Sequence, residues 1–233
     1  VGSEMCIRDS PLPNDAPHLL EILAAEQPGQ RIQTSVRQAL QRQTQALVNR
    51  YAREYSSNHI HNLAAIVADV ETGEVLAYAG NATYPADERQ GNQVDIITSP
   101  RSTGSILKPF LYAGMLHDGL LLPSMLVSDV PLNINGFSPH NYNKTFYGAV
   151  PAHVAIERSL NVPLVRMLSQ YNTGRFMSLL KSWGMTTLRF SEEHYGASLI
   201  LGGAEGTLWD LSGMYASMSC LLYTSPSPRD RSV

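Results

Sequence analysis

Residues 101–112, Arg-Ser-Thr-Gly-Ser-Ile-Leu-Lys-Pro-Phe-Leu-Tyr, constrain this chain more than any other stretch. Gly104 gives a flexible approach, and Ser105 then opens an apolar run that reads as the start of a helix. Ser105 and Lys108 stand three residues apart, so on a helix they share one face. A serine hydroxyl is a poor nucleophile until a nearby base takes its proton. A lysine one turn away can do so if burial lowers its pKa, by up to roughly 3–5 units in extreme cases. Ile106, Leu107, Phe110 and Leu111 are expected to supply that burial. Pro109 has no N–H, but it falls near the first turn, where donors are unpaired anyway.

Two residues at fixed spacing are weak evidence, because composition alone gives about one chance S-x-x-K in a chain of this size. Ser178-Leu-Leu-Lys181 is such a match. Phe176, Leu179, Leu180 and Trp183 around it mark an amphipathic helix, and Ser178 and Lys181 read as its solvated face. A second element, Glu157-Arg-Ser-Leu-Asn-Val-Pro163, contains S-x-N in Ser159 and Asn161. Ser56-Ser-Asn58 repeats that pattern without the context.

S-x-x-K followed about fifty residues later by S-x-N is more specific than either motif alone. In that order the chain resembles the penicillin-binding protein and serine β-lactamase superfamily, whose signature is S-x-x-K, then S-D-N or S-x-N, then K-T-G. G-S-I-L-K-P-F-L-Y at 104–112, N-Y-N-K-T-F-Y-G-A-V-P at 141–151, I-E-R-S-L-N-V-P-L-V at 156–165 and L-I-L-G-G-A-E-G at 199–206 resemble more narrowly a bifunctional, class A penicillin-binding protein of the 1C type. The resemblance covers residues 30 to 218. One departure is large. No K-T-G occurs, and the only Lys-Thr pair, Lys144-Thr145, precedes S-x-N.

The resemblance implies an α+β, β-lactamase/transpeptidase-like fold: an antiparallel sheet covered by helices, truncated before its later strands. It implies peptidoglycan D,D-transpeptidation through a serine acyl-enzyme, with Ser105, Lys108, Ser159 and Asn161 as the site. Ser105 attacks the carbonyl between the terminal D-alanines of a stem peptide, and Lys108 is the base. Ser159 relays a proton to the leaving D-alanine, and Asn161 holds the peptide amide. Stem peptides and β-lactams are the implied partners, with no cofactor. The implied location is the periplasmic side of the bacterial inner membrane. The full protein is expected to carry an upstream glycosyltransferase and a membrane anchor. The alternatives are a β-lactamase or D,D-carboxypeptidase, and a non-catalytic penicillin-sensing domain. Class A β-lactamases carry S-D-N, whereas Leu160 stands in the middle here.

Composition bounds the rest. The chain has 233 residues, is 43% hydrophobic and 16% charged, and carries a formal net charge of −3. That suits one globular domain and gives nucleic-acid binding no electrostatic support. No apolar run approaches the roughly 20 residues that span a bilayer. The seven histidines show neither H-x-x-x-H nor H-E-x-x-H spacing, so a metal site is not expected.

The ends look foreign. Glu4-Met-Cys-Ile-Arg-Asp9 and Cys220-Leu-Leu-Tyr-Thr-Ser225 back-translate onto opposite strands of one oligonucleotide resembling a transposon adapter. Residues 1–10 and 220–233 are therefore set aside as adapter-like ends, 11–30 read as a linker, and 31–219 as a partial transpeptidase domain. Cys6 and Cys220, the only cysteines, fall in the ends, so no disulfide framework is expected. On this reading the missing K-T-G reflects truncation, and the chain as it stands is expected to be inactive.

In order along the chain, Ile32-Gln-Thr34 is expected as a short strand entering a helix that runs past Arg50. Asn62–Asp69 and Glu74–Ala79 read as a hairpin around Glu71-Thr-Gly73. Val127 to Gly148 reads as irregular loops lining a groove, with His140 and Tyr142 candidates to touch substrate. Pro151–Arg158, Val162–Tyr171 and Leu208–Met218 read as helices, and Ser198–Gly203 as a small-residue turn.

Overall fold

The computed structural model describes residues 14–83, 90–134 and 136–219. The adapter-like ends, 1–10 and 220–233, lie outside the described residues. Two compact units emerge: residues up to Ser99 together with those from Tyr215, and Pro100–Met214.

In the first unit, helix α1 spans Pro17–Glu26, helix α2 Gln38–Tyr55, strand β1 Ala65–Ala68 and strand β2 Val75–Ala79. The β1–β2 pair is the expected hairpin, antiparallel, with Ala65 opposite Ala79 and Ile66 opposite Tyr78. Residues 17–26, expected within a linker, are helical instead. The run Leu19–Ala25 is apolar enough to bury Leu23, and Pro17 sits at the helix start, where its missing N–H costs nothing. Ile32–Thr34 forms no strand.

The buried face of α2 is Gln41, Thr44, Val48 and Ala52, spaced by three and four residues as one helical stripe requires. Val48 and Ala52 pack with Ala79 and Ala82. Gln41 does something an apolar residue cannot. Its Oε1 accepts from Tyr78 N at 2.7 Å, and its Nε2 donates to Tyr78 O at 2.9 Å. One side-chain amide thus takes both backbone valences of a strand residue, as a neighbouring strand would. Arg37 N donates to Leu76 O, and Ser35 Oγ to Val75 O. The outer edge of β2 is therefore satisfied by residues 35–41 without a third strand.

In the second unit, β3 (Arg101–Ser102) pairs antiparallel with β6 (Glu205–Gly206), and β4 (Leu126–Asp129) with β5 (Gly148–Pro151). The helices are α3 Lys108–His117, α4 Ala152–Glu157, α5 Asn161–Tyr171, α6 Thr173–Ser182, α7 Glu192–Tyr195 and α8, which starts at Leu208. A 3-10 turn covers Gly196–Leu201. Phe110 and Leu111 of α3, Leu164 and Val165 of α5, and Phe176 and Leu180 of α6 are all fully buried and form the core. Phe110 meets Trp183 edge-on at 5.3 Å. Gly114 lets α6 approach α3, since a Cβ there would stand 2.6 Å from Leu179 Cδ2.

The stretch expected as loops from Val127 to Gly148 is partly a strand pair. Alternation is hidden because β4 and β5 are short and mostly exposed, so no apolar periodicity marks them. The decoy serine and lysine behave as expected. Ser178 and Lys181 are exposed on α6, with Ser178 Oγ bonded back to Gly174 O.

Gln41→Leu is expected to lower stability by about 1–3 kcal/mol, because it keeps the volume but strips Tyr78 N–H and C=O of their partners. Urea unfolding checks this, and a loss below half a kcal/mol would mean that water satisfies this edge.

Candidate active site

The sequence places Ser105 at a helix start, but α3 begins at Lys108. Ser105 lies in the turn before it, where Ile106 N donates to Thr103 O and Lys108 N to Ser105 O. Pro109 occupies the first helical turn, which pins the start there. Leu107, Phe110 and Leu111 are buried as expected, whereas Ile106 is 44% exposed and does not wall in the lysine.

This turn is staked to a segment a hundred residues away. Thr103 N and Oγ1 both donate to Ala204 O at 3.0 Å, and Ser102 Oγ donates to Gly202 O at 2.8 Å. Gly202 has φ +102°, and a Cβ on it would stand 2.7 Å from Gly104 Cα. The Leu-Gly-Gly-Ala-Glu-Gly segment thus needs glycine at 202 both for its backbone and for the close approach to the serine turn.

Ser105 is exposed. Among the described residues neither its hydroxyl nor its backbone N–H has a hydrogen-bond partner. Lys108 is the opposite case, a lysine 1% exposed in the core of the unit. Its Nζ donates to Ser159 O at 2.8 Å, Ser159 Oγ at 3.1 Å and Asn161 Oδ1 at 2.7 Å. The three donors of the ammonium are matched by three acceptors, none of them a carboxylate. Burial without a counter-charge pulls its pKa from 10.5 down to about 8. The structure therefore brings Lys108, Ser159 and Asn161 together. It places Ser105 one turn away along the chain, with no hydroxyl–amine hydrogen bond between Ser105 and Lys108.

Ser159 holds an unusual position. Helix α4 ends in a Schellman arrangement: Leu160 N donates to Ala155 O at 2.9 Å, and Ser159 N to Ile156 O at 3.0 Å. The residue after the C-cap in that arrangement is left-handed and usually glycine. Here it is Ser159, with φ 51°. A side chain there costs roughly 1–2 kcal/mol, and what the cost brings is a hydroxyl on the lysine amine. Leu160 returns to extended backbone, and α5 begins at Asn161.

Two neighbouring residues complete the arrangement: His140, singled out in the sequence, and Asn141, which sequence reasoning passed over. Asn161 Nδ2 donates to His140 O at 2.8 Å, so the backbone of His140 touches the site while its ring lies 5.9 Å from Phe146. Asn141 Oδ1 accepts from Asn161 N at 2.9 Å. No residue-type pattern flags Asn141, because its role depends on a chain reversal that the sequence does not encode locally. Tyr142 is fully exposed, and Lys144 of the Lys-Thr pair is also at the surface.

The family model for the penicillin-binding protein transpeptidase domain matches residues 63–206. Penicillin-binding protein 1C of Escherichia coli K12 is 32% identical over 208 residues, which cover 89% of this chain and 27% of that protein. Penicillin-binding protein 1A of Rickettsia felis is 27% identical over 162 residues, covering 66% of this chain and 19% of that one. The chain thus spans about a quarter or less of these relatives' length. Among solved structures, the PonA1 protein of Mycobacterium tuberculosis in complex with penicillin V superposes with a TM-score of 0.62. It is 19% identical, covering 86% of this chain and 55% of that one. Penicillin-binding protein 3 of Mycobacterium tuberculosis gives a TM-score of 0.65 at 24% identity, covering 79% of this chain and 46% of that one. At those identities the likeness is one of fold, an α+β arrangement of helices with short antiparallel strand pairs.

Ser159→Gly is expected to be at least as stable as the parent, and Ser159→Ala less stable than Ser159→Gly by about 1 kcal/mol, since only glycine relieves the left-handed backbone. Urea unfolding of the two variants measures the difference. Equal stabilities would show that the serine backbone is unstrained.

Proposed function

Because the chain belongs to the penicillin-binding protein transpeptidase family, we propose that it is a fragment of a peptidoglycan D,D-transpeptidase working through a serine acyl-enzyme. The observation that carries the reading is the buried lysine held between Ser159 and Asn161, one turn from an exposed serine. Stem peptides ending in D-alanyl-D-alanine are the donor substrates, and β-lactams the mimics that trap the enzyme.

Ser105 Oγ attacks the carbonyl carbon of the terminal D-Ala-D-Ala bond, and its proton passes to the neutral amine of Lys108. Burial makes that amine available: with a pKa of about 8, about one lysine in ten is neutral at pH 7. The Ser105 N–H, which has no described acceptor, supplies one hydrogen bond to the oxyanion. Removing such a donor typically costs on the order of 10²–10³ in rate. The C–N bond then breaks, and the proton returns through Lys108 and Ser159 Oγ, 3.1 Å apart, to the departing D-alanine nitrogen. Asn161 holds the acyl peptide. An amine from a neighbouring stem attacks the ester, forms the cross-link and releases Ser105. The working location is the periplasmic side of the inner membrane. Among the described residues no helix is long and apolar enough to cross a membrane, and the glycosyltransferase and anchor belong to the proposed whole protein.

With no K-T-G in its sequence, the 233-residue chain is expected not to label with fluorescent penicillin. Extending it with the segment that follows the aligned region in the Escherichia coli relative is expected to restore labelling. In that extended chain Ser105→Ala abolishes labelling and Ser178→Ala leaves it intact. Labelling that survives Ser105→Ala would overturn the assignment. Strong Ser105-dependent labelling of the unextended chain would show that the whole acylation site lies within it.

The pH dependence has a definite sign. The base must be neutral, so the acylation rate is expected to rise about tenfold per unit below pH 8 and to level off above it. Stopped-flow acylation between pH 6 and 10 measures this. A flat profile would remove Lys108 as the base.

A further inference from the structure

Behind the Ser159–Asn161 turn lies a buried pair that the proposed chemistry does not use. Asp129, the last residue of β4, is fully buried, and Asn141 is 3% exposed. Asp129 enters no ion pair among the described residues. Its partners are instead Asn141 Nδ2, 2.9 Å from both carboxylate oxygens, and Tyr147 N at 3.0 Å. An unpaired buried carboxylate is expensive, so a fold that keeps one draws something from it.

What it provides is direction. An asparagine amide can face either way, but both oxygens of Asp129 lie 2.9 Å from Nδ2 and meet it as acceptors, which sets the amide's direction. Thr145 O, also accepting from Nδ2 at 2.9 Å, enforces the same choice. The oxygen of Asn141 must then face α5. There it accepts from Asn161 N at 2.9 Å and Val162 N at 3.3 Å. These are the first two N–H groups of a helix whose own N-cap, Leu160, has no side chain able to cap it. Asn141 is thus a helix cap delivered from a distant loop. The residue it caps is the one whose Oδ1 holds the Lys108 amine.

We propose that Asn141, oriented by Asp129, is a positioning residue of the acyl-transfer site: it fixes the start of α5 so that Asn161 and Ser159 meet Lys108 in one geometry. The proposal rests on the reading of Ser105, Lys108, Ser159 and Asn161 given above. Asn141 touches neither the lysine nor the serine nucleophile and acts through Asn161. The ionisable groups on the elements around the lysine are Tyr112 and His117 on α3, His153 and Glu157 on α4, Arg158 after it, Arg166 and Tyr171 on α5, His140 preceding Asn141, and Asp129 behind it. Asp129 alone is joined to Asn161 through a single intervening side chain.

The test uses the extended chain and fluorescent penicillin, with thermal melting run alongside. Asn141→Ala is expected to slow acylation on the order of 10²-fold, the scale of a misplacement of about 1 Å. Because that variant also orphans Asp129, a double exchange, Asp129→Asn with Asn141→Asp, accompanies it. The exchange keeps the cap, keeps a donor facing an acceptor between positions 129 and 141 and conserves net charge, but it turns a carboxylate oxygen toward Thr145 O, which accepts from Nδ2 in the parent. It is expected to melt below the parent and to recover most of the rate. It also moves the carboxylate one residue closer to Lys108, which favours the ammonium. The midpoint of the acylation pH profile should therefore shift upward from about pH 8. An exchange that folds yet acylates no faster than Asn141→Ala overturns the proposal. So does Asn141→Ala acylating within twofold of the parent. Loss of Ser105 dependence in the parent itself would instead sink the site reading, so the two failures are distinguishable.

Discussion

A lysine ammonium in a protein core is the constraint from which the rest of the second unit follows. Lys108 cannot be left there bare, and hydrogen bonds to a charged donor contribute roughly 1.5–3 kcal/mol each. Three acceptors must converge on one nitrogen, and they come from two residues two apart, Ser159 and Asn161. No regular helix or strand presents a carbonyl, a hydroxyl and an amide oxygen to one point from such neighbours. The chain does so by ending α4 in a left-handed residue and restarting as α5 two residues later. The break between the two helices is thus a requirement of the lysine as much as a feature of the connection.

The same economy governs the serine side. Ser105 belongs to neither helix nor strand, and its turn is held by backbone carbonyls at 202 and 204. Ser105 and Lys108 are therefore anchored to different parts of the unit, the serine turn to the glycine-rich segment and the lysine to the α4–α5 break. The result is an exposed, unbonded hydroxyl one turn from an amine whose three donors are all taken.

Much of this was legible in the residues themselves. Ser105, Lys108, Ser159 and Asn161 stood out because motif order restricts chance, and the hairpin around Glu71–Gly73 because apolar alternation stops at a turn. Ser178 and Lys181 are separable from Ser105 and Lys108 by their amphipathic surroundings. What stayed hidden depends on tertiary partners. The β4–β5 pair has no apolar period to read. Asn141 lies between His140 and Tyr142, both of which attract notice as ring-bearing residues, yet a buried amide has no local signature and only the fold shows which way it points. Ser159 in a glycine-like backbone was equally invisible, since nothing in Arg-Ser-Leu-Asn reports the sign of φ. The adapter-like reading of the ends stands on codons and draws nothing from the fold.

The Gln41 side chain carries a consequence for sheet assembly. By taking both backbone valences of Tyr78, with Arg37 and Ser35 beside it, the helix and its approach close β2 to any further neighbour. A ladder sealed on one side is a template with a polarity. Any strand that widens this sheet must add along Ala65–Ala68, the side away from β2. The order of strands is therefore decided by a glutamine on a helix before the next strand arrives.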